Sequence, residues 1–269
     1  MFAPIIDPVA FSIPLPFLGT FQVHWYGLMY VFGFLSALLL AKYRASHSKT
    51  QWTLESCDDL LTYVALGVIL GGRLGYVLFY NFSYYMTHPF EIIAIWEGGM
   101  SFHGGFIGVA IAIYFFARKT KKNIIDVFDF IAPFVPQCIF LGRIGNFING
   151  ELWGKVTDAP IGMIFRYADE SPRHPSQLYE AVSEGLISFI ILWFFSDKPH
   201  RRGAVSLVFC ICYCVSRFTV EFFREPDIHI GYIAFGWLTT GQVLTLGLAC
   251  IAVLVFFYSR TQPITSWRD

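Results

Sequence analysis

Arg73, Arg143 and Arg217 each sit inside an apolar run long enough to cross a bilayer, and His103 sits in a fourth, between two glycine pairs. A charged side chain at that depth costs about 3 kcal/mol on insertion scales. Three arginines without matching carboxylates nearby in the same runs therefore predict an anionic ligand within the membrane. The chemistry on offer is phosphate binding by guanidinium forks and proton transfer by an imidazole near neutral pH.

Polar groups recur around these four at helical spacing. In GRIGNFINGELWG (142–154), Arg143, Asn146 and Gly150 are expected on one helix face, with Asn149 and Glu151 beside them. Arg143 there either grips an anion or snorkels to the surface from a helix end. Tyr213, Arg217, Glu221 and Arg224 follow one another at steps of four, four and three. Glu221 can pair with either arginine, so part of this stripe can be a structural ion pair. Arg73 is wrapped in glycine within Gly71-Gly72-Arg73-Leu74-Gly75-Tyr76. His103 lies in Gly98-Gly99-Met100-Ser101-Phe102-His103-Gly104-Gly105, and either bonds a neighbouring helix or acts as a base or ligand. Glycines 104 and 108 repeat a small-xxx-small spacing that lets helices approach closely. For His24 and Tyr26, in His24-Trp25-Tyr26-Gly27, an interfacial belt is as good a reading as a functional one. Ser176 or Gln177 is expected to cap the helix that follows His174-Pro175.

These residues need spans to hold them, and the composition supplies them. The 269-residue chain is 55% hydrophobic and only 14% charged, against about 25% charged in soluble domains. Net charge is zero, so neither bulk attraction nor a basic stripe favours nucleic acid. Seven apolar runs approach the length a bilayer requires: 21–41, 58–80, 96–117, 124–148, 180–196, 204–222 and 236–258. The expected fold is an all-α polytopic membrane protein forming a single integral membrane domain over 1–269. Alternate connections carry Lys42, Arg44 and Lys49; Arg118, Lys119, Lys121 and Lys122; Lys198, Arg201 and Arg202; then Arg260 and Arg268. The opposite side holds Lys155, Arg166, Arg173 and Arg224. The positive-inside rule then puts the N-terminus outside, in the periplasm for a bacterial chain, and the C-terminus in the cytoplasm. Arg143 and Arg217 fall toward the outer half, so the pocket is expected to open to the outer leaflet. Residues 1–20, with Pro4, Pro8, Pro14 and Pro16 and no basic residue, read as an external arm rather than a signal peptide. Residues 149–179 read as a small periplasmic cap or a few strands. The six cysteines, at 57, 138, 210, 212, 214 and 250, lack metal-ligand spacing; they read as small apolar fillers, and no metal or other cofactor is expected.

The runs GGRLGYVLFYN (71–81), GGMSFHGG (98–105), GRIGNFINGELWG (142–154), HPSQLYEA (174–181) and RFTVEFFREPD (217–227) occur in that order. The chain in this respect closely resembles the prolipoprotein diacylglyceryl transferase family, from about residue 20 to 260. The resemblance implies a bacterial inner-membrane enzyme. Such an enzyme moves the diacylglyceryl group of phosphatidylglycerol onto the lipobox cysteine of a preprolipoprotein signal peptide, forming a thioether and releasing glycerol phosphate. It implies His103 as candidate general base, essential Arg143, and important positions at Asn146, Glu151 and Gly154. It also implies functional roles for Tyr213, Arg217, Glu221 and Tyr26. By charge and placement, Arg73 and Arg224 join Tyr26, Arg143, Asn146, Gly154, Arg217 and Glu221 as expected phosphatidylglycerol contacts. Catalytic roles are expected for His103, Arg143, Glu151, Tyr213 and Arg217; whether His103, Glu151 or Glu221 takes the thiol proton is left open. A secondary transporter of an organic anion would also bury arginines but would usually show a duplicated half. An intramembrane serine protease would pair Ser101 with His103, without a glycine-x-serine-glycine turn to support it.

Overall fold

The computed structural model describes residues 2–15, 19–47, 52–95, 98–226 and 231–265. Pro16, Lys49, Asp227, Arg268 and the start of the third expected span at 96–97 lie outside them. The elements run β1 (Val9–Leu15), β2 (Gly19–His24), α1 (Trp25–His47), α2 (Leu54–Phe79), α3 (Phe82–Thr87), α4 (Phe102–Thr120), α5 (Ile124–Ile131) and α6 (Val135–Asn149). Then come α7 (Ser176–Glu180), α8 (Ser188–Ser196), β3 (His200–Arg201), α9 (Ala204–Val220), β4 (Tyr232–Ala234), β5 (Leu238–Thr239), α10 (Thr240–Arg260) and β6 (Ile264–Thr265). Five helical stretches of 21 to 26 residues are long and apolar enough to cross a membrane: 25–47, 54–79, 124–149, 176–196 and 240–260. The helix α4 adds 19 residues and α9 adds 17. Large apolar side chains such as Leu39, Leu70, Phe106 and Leu254 are exposed, as lipid-facing surface requires.

Several expected boundaries shift for local reasons. Residues 19–24 alternate apolar and polar and form the second arm of an antiparallel hairpin with β1, so the first helix starts at Trp25, not 21. The third helix begins at Phe102 rather than 96, because Gly98 and Gly99 take φ of 85° and 73° and Ser101 caps the helix by accepting from the Gly104 amide at 3.2 Å. The last long helix starts at Thr240, not 236, behind a capping box of Thr239 and Gln242; the preceding residues pair as β4 and β5. Residues 149–179 hold no continuous strand, only isolated bridges such as Val156 with Arg173 and Gly154 with Arg224.

The chain packs as two compact units, residues 41–128 and residues 1–40 with 129–269. In the first, α2 and α4 meet through glycine. A Cβ at Gly75 would lie 2.6 Å from the Gly104 Cα, and one at Gly67 would lie 2.7 Å from the Gly108 carbonyl oxygen. The small-residue spacing read at 104 and 108 thus finds its counterpart at 67, 71 and 75, and backbones touch where side chains would hold them apart. Phe116, fully buried, stacks on Trp52 and meets Tyr63 edge-on at the end of the seam.

In the second unit, α6 packs along the stretch 176–196. Residues 181–187 are π-helical, and Gly185 lets α6 close in, since a Cβ there would lie 2.6 Å from the Phe140 Cβ. A 3-10 turn, Ala132–Phe134, separates α5 from α6 within the stretch 124–149. Asp129 accepts from the Ser206 amide at 2.8 Å and the Ser206 hydroxyl at 2.6 Å, fixing the start of α9 with an anion where its dipole favours one.

Candidate functional site

Glu180 is the centre of the polar cluster in the larger unit. Its side chain is fully buried and accepts a short hydrogen bond from Arg217 Nη1. Its other oxygen lies 3.0 Å from Arg143 Nε, and Arg224 Nη1 stands 3.7 Å from the oxygen that Arg217 bonds. Glu184 lies 3.6 Å from Arg143 Nη2 and 3.7 Å from Arg217 Nη1. Arg217 Nη2 completes the set at 2.7 Å from Glu221 Oε2. Arg143 comes from α6, the two glutamates from the stretch 176–196, and Arg217 from α9. The π-helical turn that begins after Glu180 is of the kind that recurs at functional positions, and here both glutamates face the same arginines.

Arg143 and Arg217 find carboxylates on another helix, at Glu180 and Glu184, and Arg217 also has Glu221 in its own run; Arg143 is paired inward rather than snorkelling to the surface. Glu180 and Glu184 were missed as site residues, although the signal was present: two carboxylates four residues apart in an otherwise apolar span carry the same penalty as the arginines. The pairing left open for Glu221 resolves to Arg217.

Glu221 is anchored from its other side. Thr239 donates its hydroxyl to Glu221 Oε1 at 2.8 Å, at the N-terminus of α10, where an anion is favoured. Gly241 leaves room for it, because a Cβ there would sit 2.7 Å from Oε1. Tyr213 lies one turn before Arg217, within electrostatic range of Glu184, Arg217 and Arg143.

The segment after α6 is braced separately. Asn146 and Asn149 donate to Glu151 Oε1 at 2.9 and 3.3 Å. Gly150 caps α6 at φ 63°, so it stands beyond the helix and not on the face of Arg143 and Asn146 as expected. Leu152 is held at φ 57°, a strained setting for a bulky residue. Ser176 donates to the Leu152 carbonyl at 2.9 Å and Gln177 to the Glu151 carbonyl at 2.6 Å. Neither therefore caps α7, whose N-cap is Pro175 without a side-chain bond; they tie the loop down. Gly154 donates to the His174 carbonyl at 2.8 Å, and a Cβ there would lie 2.7 Å from that oxygen, so glycine at 154 positions the loop. Burial pushes the His174 imidazole below its ordinary pKa, and its Nδ1 lies 3.0 Å from the Tyr179 hydroxyl. Tyr26 lies against Gly145, whose Cβ would stand 3.0 Å from its ring, and its hydroxyl is 3.0 Å from that of Tyr30.

In the smaller unit, His103 is exposed on the first turn of α4. Arg73 is buried and donates Nε to the Ile92 carbonyl, Nη2 to that of Glu91, and Nη1 to those of Gly98 and Gly99. Its guanidinium also lies over the Tyr85 ring at 5.2 Å. Four of its five donors are thus committed to backbone, a structural hold on the loop before α4.

The family model described as prolipoprotein diacylglyceryl transferase matches residues 8–258. A protein of Oleidesulfovibrio alaskensis named phosphatidylglycerol–prolipoprotein diacylglyceryl transferase is 58% identical over 90% of this chain and 89% of its own length. Proteins of the same name from Legionella pneumophila and Coxiella burnetii are 51% and 52% identical, each over 96% of this chain and 98% and 97% of their own lengths. These relatives are named as transferases and not as anion transporters.

Proposed function

The chain belongs to the prolipoprotein diacylglyceryl transferase family, and from that premise we propose how its residues carry out the transfer of diacylglycerol from phosphatidylglycerol to a prolipoprotein. It is a multi-pass membrane transferase. The observation that carries the reading is the convergence of Arg143, Arg217 and Arg224 on one buried carboxylate, an arrangement suited to a phosphodiester.

The thiol of the lipobox cysteine attacks the glycerol carbon of the lipid that bears the phosphate. A C–S bond forms, the C–O bond breaks, and its electron pair leaves on the phosphate oxygen of glycerol phosphate. Charge on that phosphate grows during the step, because a diester monoanion becomes a monoester whose second pKa is near 6. Arg143 and Arg217 meet this charge with preorganised donors, and such groups account for large rate factors. A cysteine of pKa about 8.5 is mostly protonated at neutral pH, so the thiol must lose its proton. The groups offered for that proton are Glu151 and Glu221 in the larger unit and, through the family resemblance, the imidazole of His103. Glu151, held by Asn146 and Asn149, and Tyr26 on Gly145 line the same end of α6 as Arg143 and are assigned to lipid contact. Tyr213, Asn146, Gly154, Glu221 and Arg224 hold or neighbour the guanidinium cluster and the loop beside it.

We place the protein in the bacterial inner membrane as one membrane domain, with seven spans, the N-terminus in the periplasm and the C-terminus in the cytoplasm. The basic residues of alternate connections support this orientation. A preprolipoprotein signal peptide with its lipobox cysteine is the second substrate. The test is a reconstituted assay with phosphatidylglycerol and a lipobox peptide, following glycerol phosphate release and peptide mass together. Release that requires the cysteine, with one diacylglyceryl mass added, is the expected outcome. Folded protein that gives neither product ends the reading.

A further inference from the structure

Among the described residues, Arg143, Arg217 and Arg224 lie at ion-pair distance from Glu180, Glu184 and Glu221, so the guanidinium groups already hold carboxylates before substrate enters. A phosphodiester entering this set adds a negative charge to a buried site, and an uncompensated charge there is expensive.

The three carboxylates are not held alike. Glu221 has a ligand besides arginine, the Thr239 hydroxyl at the N-terminus of α10. Glu184 stands 3.6 and 3.7 Å from guanidinium nitrogens, and neither of its oxygens has a hydrogen-bond partner. Glu180 is the carboxylate on which all three guanidinium groups converge, and its hydrogen bond comes from Arg217. Its second oxygen, 3.0 Å from Arg143 Nε, is poorly aligned for a hydrogen bond. Glu180 is thus a two-oxygen monoanion seated among the donors that a two-oxygen phosphodiester would use.

Resting on the transferase reading, we infer that Glu180 is an internal stand-in for the lipid phosphate, displaced from Arg143 and Arg217 when phosphatidylglycerol binds and taking up a proton as it leaves. The proton leaves the net charge of the site unchanged: one anion enters and one carboxylate is discharged. The other groups facing this site are Glu184 on the same stretch, Tyr213 and Glu221 from α9 and its end, and Tyr26 and Glu151 near Arg143. Of the carboxylates in direct contact with the arginines, Glu221 is fixed by Thr239 and Glu184 already stands off. Glu180 is the one whose position a phosphate contests.

The stand-in predicts a gain where a purely structural ion pair predicts a loss. Glu180→Gln keeps the shape and removes the competing charge, so the apparent affinity for phosphatidylglycerol should rise several-fold while turnover is free to fall. A structural pair would instead lose affinity when one buried partner is removed. The measurement is calorimetric titration of a short-chain phosphatidylglycerol into the detergent-solubilised full chain, repeated in buffers of different ionisation enthalpy. Wild type should take up about one proton per lipid bound, so that affinity weakens by up to about tenfold per pH unit above neutrality. Glu180→Gln should bind more tightly and take up almost none. Wild type that binds without proton uptake overturns the inference even if the variant fails to fold, and so does a folded variant that binds more weakly. Failure of the transferase reading is distinguishable, because it shows as wild type that binds the lipid yet yields neither glycerol phosphate nor a diacylglyceryl adduct.

Discussion

Arg73 and Arg217 are both buried arginines inside glycine-containing or apolar helical runs, yet their partners differ in kind. Arg73, in the unit 41–128, spends its donors on the carbonyl oxygens of Glu91, Ile92, Gly98 and Gly99. Those oxygens belong to the backbone and cannot leave without unfolding the loop. Arg217, in the larger unit, faces the side-chain carboxylates of Glu180, Glu184 and Glu221, which can rotate or change protonation state. A guanidinium held by fixed dipoles braces a fold; one held by carboxylates can exchange one anion for another. The partner, more than the arginine, decides which arginine is for chemistry.

The strongest test of that contrast is Arg143→Ala. It removes a fork from the cluster, and loss of a preorganised donor to developing charge typically costs about 100- to 1000-fold in turnover. With the neighbouring carboxylates also left unpaired, we expect the upper end or beyond, with the protein still inserted. Substantial residual transfer in the reconstituted assay would remove Arg143 from its role. Arg73→Ala should fail differently, leaving four carbonyls without their donor and lowering stability by about 2–3 kcal/mol. The damage should appear in thermal stability in detergent before it appears in the KM for phosphatidylglycerol. A raised KM with unaltered stability would return Arg73 to the groups that hold the lipid. Arg217→Lys keeps the charge and loses the fork; a 10- to 100-fold fall in kcat/KM, about 1.4–2.8 kcal/mol, is expected. Near-normal kinetics would reduce Arg217 to a point charge.

The sequence made one half of this contrast legible. Steps of four and three place Tyr213, Arg217, Glu221 and Arg224 together, and the Arg217–Glu221 pair is such a local step. Glycines at 104 and 108 announced a close helix contact, and all seven apolar runs contain helices, since hydrophobic period and length are properties of a local window. The other half was hidden because it is long-range. Glu180 lies 37 residues from Arg217, and nothing in either window says that their helices meet. The carbonyl partners of Arg73 are hidden for a further reason: backbone acceptors look the same at every position of a sequence. The pairing of β1 with β2 was missed where apolar content outweighed alternation, so Phe21 and Val23 were assigned to a helix although they alternate with Gln22 and His24.

The finest test concerns what keeps Glu221 in place while Glu180 is free to yield. Thr239 does two things with one hydroxyl: it caps α10 by accepting from the Gln242 amide at 3.3 Å and donates to Glu221 at 2.8 Å. Thr239→Val keeps the shape of the side chain and loses both bonds. Loss of such a cap costs about 1 kcal/mol, and a Glu221 released from its anchor would let Arg217 Nη2 turn from its present bearing. We therefore expect a modest drop in thermal stability together with a few-fold rise in the KM for phosphatidylglycerol. Thr239→Ser, which restores the hydroxyl, should recover both. If valine lowers stability and leaves KM untouched, Thr239 is a helix cap and no more, and Glu221 owes its position to Arg217. The two carboxylates would then be equally free to move, and the distinction between a fixed anion and a displaceable one within the cluster would fall.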